Sequence, residues 1–562
     1  MMQPAAEPLD AVAQGRDALR EGSWRDAKNA FERALRAGES AAALEGYAQA
    51  TRWLGEAAVS LDARERAFRS YRQAGDSPGA ARSAIWLAYD HVVFRGEAAV
   101  ARGWFSRARR LLDGLEDIEE RGWLAFLEAE VALVAENDAV RAGELAATAT
   151  EIGRRCGVLD LEMLGRSLEG LAKVAAGEVR DGMALLDEAS AAAVSGEFGA
   201  IQFAGGACCH LIYACERVQD VDRAAQWCNT VRGFCERSSV PQLFGFCRAH
   251  YAAVLTWRGE WNEAERELAG ALEAFEVGAP ALAFEALLRL ADLRRRQGRL
   301  DEARAICDRI GWHPQAQLCL AEIAMDGRDL DEAADLLERF LRALSPGERL
   351  ARAPAQALGV RIAVERGELE VARTHLAELS SVVADAQTDP LRASLEFSEG
   401  LLASAVADDE RAREHYEDAL DLWSRSGAPF EASRARVALG LALSRLGRPR
   451  EAARELAAAT AAFDELGAQG ERHRVSAALA DLAAQEGAGP RPSADVSGRA
   501  GLSARELEVL RLAAQGLTEP QIAAQLIVSR HTVHRHMANI RAKLNQRSKA
   551  GAVAKAADEG LL

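Results

Sequence analysis

Small and bulky apolar residues recur at a fixed spacing along most of this chain. Each copy of the pattern begins with Gly or a polar turn residue, has a large residue two positions later, and reaches Ala three positions after that. Further apolar residues follow four and seven positions beyond the Ala, as in Gly22-Trp24-Ala27-Phe31-Ala34. Because a spacing of i, i+4 and i+7 places side chains on one face of an α-helix, each copy predicts an amphipathic helix that begins after a turn.

The pattern occurs about twelve times between residues 8 and 485, mostly at intervals of 39 to 42 residues. The repeated small residue is assigned to positions 27, 67, 101, 142, 182, 224, 264, 303, 333, 372, 412 and 452. A second small residue often lies twelve positions earlier, at the expected facing point of a preceding helix, as in Gly15, Gly55, Gly170, Gly400 and Gly440. Each unit is therefore predicted to be a helix hairpin. One hairpin cannot bury its apolar face alone, so neighbouring hairpins must stack.

This pattern resembles the tetratricopeptide repeat from about residue 8 to 480. Turn residues roughly every twenty positions interrupt any sustained heptad, which disfavours the alternative of a long coiled coil. The resemblance implies an all-α fold, a superhelical solenoid of about twelve hairpins, and the intervals in this sequence give it a period near 40 residues. Residues 8–485 are accordingly predicted to be a sensor or partner-binding domain whose effector is an unknown protein, peptide or small molecule.

Residues 486–501 lack periodicity and concentrate Gly, Pro and Ser, so they are predicted to be a flexible linker. Four short helices are predicted after it, and capping boxes begin the first two, Ser503 with Glu506 and Thr518 with Gln521. The predicted capping residues are Ser503, Thr518, Ser529 and Ser548. Gly516 is expected to end the first helix.

The third of these helices, which runs to about residue 544, has an apolar stripe and a polar opposite face. Val533, Met537, Ile540 and Leu544 follow one another at steps of four, three and four residues, so this stripe must pack against the other helices. A short helix, a tight turn and a longer helix with a basic face are typical of a helix-turn-helix, whose second helix enters the DNA major groove. The candidate base-reading residues are His531, His534, Arg535, Ala538 and Asn539, flanked by Arg530, Thr532, Arg541 and Lys543.

The run from Leu502 to Leu510, Leu-Ser-Ala-Arg-Glu-Leu-Glu-Val-Leu, resembles the opening of the LuxR-type helix-turn-helix family. The resemblance continues over about 60 residues through Ile522-Ala523, Leu526, Val528-Ser529, Thr532-Val533, His536, Ile540, Lys543-Leu544 and Arg547-Ser548. It implies that residues 502–562 form a four-helix DNA-binding domain of a bacterial transcription regulator.

The same resemblance implies roles for individual residues. Base contacts are expected from His534, Arg535 and Ala538, and phosphate contacts from Thr532, Lys543, Arg547 and Lys549. Members of the family pair through the last helix, so a homodimer is expected on DNA. Small residues that permit close contact between two such helices are Ala550, Gly551, Ala554 and Ala557.

The distribution of charge favours double-stranded DNA as a partner, although the whole chain has a net charge of −16. Residues 501–562 hold 9 of the 69 Lys and Arg but only 5 of the 85 Asp and Glu, so this segment is basic and the rest is acidic. Such asymmetry is expected of a small DNA reader attached to an acidic sensor. We find no long apolar run and no basic leader, so we expect a cytoplasmic protein without a membrane partner.

The sequence offers no candidate catalytic residues, and we expect neither an enzyme nor a cofactor. None of the five lysines follows a Gly, which excludes the Gly-Lys of a phosphate-binding P-loop. Six of the nine cysteines lie between Cys208 and Cys247, but no Cys-x-x-Cys occurs, so we expect reduced packing residues rather than a metal or redox site. Three histidines at 531, 534 and 536 are expected near DNA rather than at a metal.

Two functions remain. The favoured one is a sequence-specific transcription regulator whose repeat region binds an effector and alters the dimerisation or presentation of the DNA reader. The alternative is an interaction scaffold whose terminal helices bind protein. An apolar exposed face on residues 530–543 would indicate the scaffold, whereas this face is basic and rich in hydrogen-bonding groups, which favours DNA.

Overall fold

The computed structural model describes residues 6–115, 118–134, 136, 138–238, 244–311, 313–344, 348–386, 388–488, 502, 504–526, 530–544, 546, 548–558 and 560–561. Every regular element within these ranges is a helix, which confirms the predicted all-α class. None of these helices is both long enough and apolar enough to span a bilayer.

Twelve successive hairpins and one further helix precede the C-terminal domain in the described part of the chain. Their helices are α1 (Ala6–Arg20), α2 (Trp24–Ala37), α3 (Ala41–Trp53), α4 (Ala57–Ala74), α5 (Ser77–Arg95), α6 (Ala98–Leu111), α7 (Glu119–Val134), α8 (Ala139–Cys156), α9 (Leu159–Ala176), α10 (Val179–Ser195), α11 (Ile201–Val218), α12 (Val221–Ser238), α13 (Phe244–Arg258), α14 (Trp261–Gly278), α15 (Phe284–Arg296), α16 (Leu300–Ile310), α17 (Pro314–Asp326), α18 (Leu330–Ala343), α19 (Arg349–Glu365), α20 (Leu369–Ala386), α21 (Asp389–Ala405), α22 (Asp409–Arg425), α23 (Pro429–Arg445), α24 (Pro449–Leu466) and α25 (Gln469–Ala488). A short 3-10 helix, Pro280–Leu282, lies between α14 and α15.

The fourth residue of the second helix in each hairpin is small and buried. These residues are Ala27, Ser60, Ala101, Ala142, Gly182, Ala224, Ala264, Ala303, Ala333, Ala372, Ala412 and Ala452. The facing glycines of the first helices are equally tight, since a Cβ on Gly15 would lie 2.7 Å from Cζ of Phe31 and one on Gly400 would lie 2.6 Å from Cε1 of Tyr416. The two helices of a hairpin therefore pack closely because no larger side chain separates them.

One position of the predicted pattern was wrong. The second hairpin uses Ser60 as its fourth-position residue, whereas Ala67 lies in the middle of α4 and Gly55 lies in the turn before α4. Ser60 fits because its hydroxyl donates to the carbonyl of Ala48 at 2.9 Å, so a buried polar group is satisfied. A pattern that requires Ala at this position does not detect Ser60, although serine is also small.

Contacts divide the chain into two units, residues 1–391 with 466–470 and residues 392–465 with 471–562. In the first unit, the turn between α3 and α4 meets the end of α14, where a Cβ on Gly55 would overlap the carbonyl of Val277. Gly55 also has φ +75°, a conformation that glycine adopts without strain. In addition, α5 contacts the 3-10 helix. One turn of the superhelix therefore closes on itself.

The cysteines of the central repeats differ in part from expectation. Cys228 and Cys307 are buried packing residues, as predicted. Cys209 and Cys247, however, are joined by a disulfide that links α11 to α13, with their Cα atoms 5.2 Å apart. Helices α11 and α13 pack as neighbours, so two residues that are 38 positions apart in the chain meet across this contact. The side chain of Cys235 lies outside the described residues.

In the second unit, His415 of α22 lies between two carboxylates of α21. Its Nδ1 is 2.7 Å from Oε2 of Glu396, and its Nε2 is 3.2 Å from Oε2 of Glu399. The ligand atoms of this group are close enough for a metal. Contacts among these side chains explain the arrangement without one, since Nδ1 faces Glu396 and Nε2 faces both Glu399 and, at 3.4 Å, Nε of Arg411.

We predict that His415 stabilises the protein more at acidic than at alkaline pH. The hydrogen bond with Glu396 chiefly raises the pKa of His415, while burial and the nearby Arg411 act in the opposite direction. A raised folded-state pKa adds stability that is complete below the unfolded-state pKa, about 6.5, and is lost as pH rises through the folded-state pKa. The Tm difference between wild type and His415→Gln should therefore shrink from pH 5.5 to pH 8.5.

The matched control is His473→Gln, which removes an exposed imidazole from the same unit. A Tm difference for His415→Gln that stays constant or grows with pH would contradict the prediction.

Candidate nucleic-acid interface

The four predicted C-terminal helices are present: α26 (Ala504–Ala514), α27 (Glu519–Leu526), α28 (Arg530–Lys543) and α29 (Lys549–Asp558). Gly516, with φ +86°, follows the end of α26 as predicted, because glycine tolerates this left-handed conformation. Thr518 precedes α27, and its backbone N–H donates to Oε1 of Gln521 at 2.9 Å. The predicted capping interaction is therefore confirmed at the start of the helix-turn-helix.

The predicted apolar stripe of α28 forms the centre of the domain. Val533, Met537, Ile540 and Leu544 are buried, and they pack in one cluster with residues of the other three helices. These partners include Val509 and Leu510 of α26, Ile522 of α27, and Ala552 and Ala556 of α29. Burial of the stripe orients α28 about its axis, so the opposite face is the one directed away from the core.

The structure describes the candidate base-reading residues only in part. Asn539 is exposed on α28, as expected for the face opposite the stripe. Six further candidates have their backbone in α28 but their side chains outside the described residues: Arg530, His531, Thr532, His534, Arg535 and Ala538. Arg547 lies wholly outside the described residues. The reading roles of these residues therefore stay predictions.

Three candidate phosphate-binding residues make contacts within the domain. Nζ of Lys543 lies 2.5 Å from Oε2 of Glu506, Nζ of Lys549 donates to the carbonyl of Leu517 at 2.5 Å, and Nε of Arg541 donates to the carbonyl of Met537 at 3.3 Å. Their cationic groups are thus held at defined positions at the ends of α28 and α29. Phosphate would have to share or replace these contacts, so the phosphate-binding roles of the three residues stay predictions.

Glu506 forms an ion pair with a residue of another helix, in addition to its predicted capping role. It was expected only as a capping residue, yet its side chain is 5% exposed and pairs with Lys543, which lies 37 positions later. A buried carboxylate needs such a partner, since an unpaired buried charge is costly. No local spacing signals this pair, because it forms between two helices.

The small residues of α29 fall into a buried set and an exposed set. Ala552 and Ala556 are buried in the core, whereas Ala554 and Ala557 are exposed and Gly551 is half-buried. The side chain of Ala550 lies outside the described residues. A strip of small side chains on α29 is therefore open to solvent.

Two family models match separate parts of the chain. Residues 500–556 match the family described as "Bacterial regulatory proteins, luxR family", and residues 12–81 and 258–311 match the tetratricopeptide repeat. The chain thus carries a LuxR-type DNA-binding domain at its C-terminus and tetratricopeptide repeats in its N-terminal region. No curated protein matches the chain.

Solved structures with similarity to the chain include two that it matches over most of its length. One is described as "Crystal structure of APC/C hetero-tetramer Cut9-Hcn1", with 15% identity, a TM-score of 0.44, and 86% of this chain and 92% of that chain covered. The other is yeast Tom70, with 12% identity, a TM-score of 0.32, and 87% of this chain and 98% of that chain covered.

We predict that Lys543 stabilises the DNA-binding domain in addition to any contact with phosphate. Lys543→Met removes a partner of the buried Glu506 carboxylate and should destabilise the domain by about 1 to 3 kcal/mol. The measurement is hydrogen–deuterium exchange of the full chain, read at amides of α26 and α28. Arg511→Met removes a positive charge from an exposed position of α26 and serves as the control. Unchanged protection in Lys543→Met would show that the pair adds no stability.

Proposed function

Because the C-terminal domain is of the LuxR type and the N-terminal region contains tetratricopeptide repeats, we propose that this protein is a sequence-specific transcription regulator controlled by an effector bound to its repeats. The observation that carries the proposal is the helix-turn-helix, in which α28 buries one apolar stripe against the other three helices, so that the opposite side points away from that core. A helix held in this way by its neighbours can enter the major groove without unfolding the domain.

We propose α28 as the recognition helix and Arg535 as its principal base-reading residue. Position 535 lies two residues after Val533 and two before Met537, so the helical register places it on the side opposite the stripe. An Arg guanidinium can donate two hydrogen bonds to O6 and N7 of guanine, the commonest specific contact in the major groove. The positioned cations Arg541, Lys543 and Lys549 are proposed to bind phosphates and fix the register on the duplex.

We further propose that the protein binds DNA as a homodimer through α29. The exposed Ala554 and Ala557 allow two copies of the helix to approach closely, because neither presents a bulky side chain. A two-fold dimer binds an inverted repeat, with half-sites about one helical turn apart.

Control through the repeat region is supported by a cavity of about 980 Å³ in the first unit. Its volume lies in the range of small-molecule binding sites. The experiment is genome-wide mapping of bound sites by the full chain and by a chain that lacks residues 1–485. If the repeats control the reader, the two maps should differ in occupancy while sharing the same preferred sequence.

We predict that Arg535→Ala weakens binding to the preferred site by about 1 to 3 kcal/mol and removes discrimination at one base pair. The measurement is binding-site selection with the full chain. Arg511→Ala is the matched control, because it removes the same charge from an exposed position of α26 in the same domain. This control should keep the wild-type sequence preference. A wild-type preference in Arg535→Ala would assign base reading to another residue.

We predict that Ala554→Glu converts a dimeric footprint into a single half-site footprint, because two carboxylates would face each other across the proposed helix pair. Ala514→Glu introduces the same side chain at an exposed position of α26 and should leave the footprint unchanged. Footprinting on an inverted repeat distinguishes the two. A full dimeric footprint from Ala554→Glu would place the dimer contact elsewhere.

A further inference from the structure

The cavity of the first unit is surrounded mainly by the first helices of successive hairpins. Lining residues come from α1, α3, α5, α7, α9 and α11, and the far side is formed by residues from α13 to the start of α17. The contact between the Gly55 turn and Val277 closes the ring of repeats around it. A space of about 980 Å³ within a closed turn suits a small molecule better than a folded partner or a long peptide.

Aromatic rings form one wall of this cavity. Phe203 stacks on Trp86 with ring centroids 6.3 Å apart, and it also packs against Trp123 at 4.7 Å. Trp86 and Phe203 are only half-buried although they line an interior space. The part of each ring that stays exposed can therefore contact an apolar group of a ligand.

Two arginines beside this wall share a single carboxylate. Nε of Arg52 lies 2.7 Å from Oδ1 of Asp90, and Nε of Arg64 lies 2.6 Å from Oδ2 of the same residue. Asp90 is fully buried, and the two guanidinium groups together exceed its charge by one. Both arginines line the cavity. A buried excess of one positive charge favours the binding of one negative charge.

The orientation of these arginines is fixed by stacking. Arg52 lies over Trp53 at 4.8 Å, and Arg64 lies over Trp86 at 5.7 Å from guanidinium carbon to ring centroid. Both use Nε for Asp90, and no hydrogen bond from their terminal nitrogens to another described residue is found. Paired terminal N–H groups of this kind match a carboxylate in geometry.

Arg16 and Arg20 line the cavity at exposed positions, whereas the other charged side chains around it have partners. Arg82 is bonded to Glu45 at 2.6 Å and to Glu120 at 2.7 Å. Glu130 lies 3.2 Å from Nε2 of His210 and is also hydrogen-bonded to Tyr89. A ligand anion is therefore best accommodated beside Arg52 and Arg64.

An unpartnered acceptor on Gln202 is an independent indication that the cavity binds a ligand. It lines the cavity, its side chain is 8% exposed, and its Oε1 has no hydrogen-bond partner among the described residues. Oε1 is closed off from the cavity as well as from water, so a rotation of the side chain that turns Oε1 toward a ligand N–H or O–H would remove the cost of an unpartnered buried acceptor.

We propose that this cavity binds an aromatic monocarboxylate that carries one N–H or O–H donor. Its carboxylate lies at Arg52 and Arg64, its ring packs against Trp86 and Phe203, and its donor bonds to Gln202. As an effector site it rests on the proposed function, whereas ligand binding as such does not depend on DNA.

The probe is anilinonaphthalene sulfonate, an aromatic monoanion with an N–H group, titrated into the full chain with fluorescence detection. We expect one molecule bound per chain and competition by indoleacetate that is at least about tenfold stronger than by the uncharged indoleacetamide. Absence of binding, or equal competition by the acid and the amide, would overturn the proposal.

Three variants locate the site. Arg64→Met should weaken probe binding about tenfold and abolish the advantage of the acid over the amide, while Asp90 keeps its bond to Arg52. Gln202→Leu, nearly the same size and without a change of charge, should weaken binding severalfold. Arg69→Met removes an exposed Arg from the same helix α4 as Arg64 and should bind like wild type. Circular dichroism checks that each variant is folded, and wild-type affinity in both folded cavity variants would overturn the proposal.

DNA affinity is then measured with and without the competing acid. A ligand that binds and changes DNA affinity supports both the cavity and the proposed control. A ligand that binds without such a change supports the cavity and contradicts the control, whereas intact DNA binding without any ligand binding contradicts the cavity alone.

Discussion

The close packing of two helices across a small residue is the constraint on which the rest of this molecule depends. In each hairpin, the fourth residue of the second helix is buried and no larger than alanine or serine. A larger side chain there would push the two helices apart, because protein interiors have little free volume. Glycines on the first helix, such as Gly15 against Phe31, shorten the distance further. The hairpins within each unit are therefore similar in thickness and can stack on one another.

Regular stacking explains why the repeat region has an interior. As the hairpins of the first unit turn, their first helices come to surround a common space, and the meeting of Gly55 with Val277 closes one turn. Polar residues on those helices are then removed from bulk water and must find partners. Asp90 meets Arg52 and Arg64 in this way, and Glu130 meets Tyr89 and His210. The same curvature that builds the solenoid thus assembles charged groups around a cavity.

The DNA-binding domain is held together by an apolar core. Four short helices bury one cluster of apolar side chains, and α28 contributes its stripe to the centre of that cluster. The pair between Glu506 and Lys543 joins the first and third helices, which couples the stability of the domain to a cation near its proposed DNA surface.

Much of the structure of this protein follows from local periodicity in its sequence. The hairpins, the buried small positions, the four C-terminal helices and the stripe from Val533 to Leu544 follow from the sequence, because an amphipathic helix must turn its apolar face inward wherever it packs. Local patterns could not reveal Ser60 in place of Ala67, the disulfide between Cys209 and Cys247, or the pairing of Glu506 with Lys543. These depend on which helices become neighbours and how they rotate on one another. The cavity, with its two arginines drawn to Asp90 from 38 and 26 positions away, is likewise decided only by the tertiary structure.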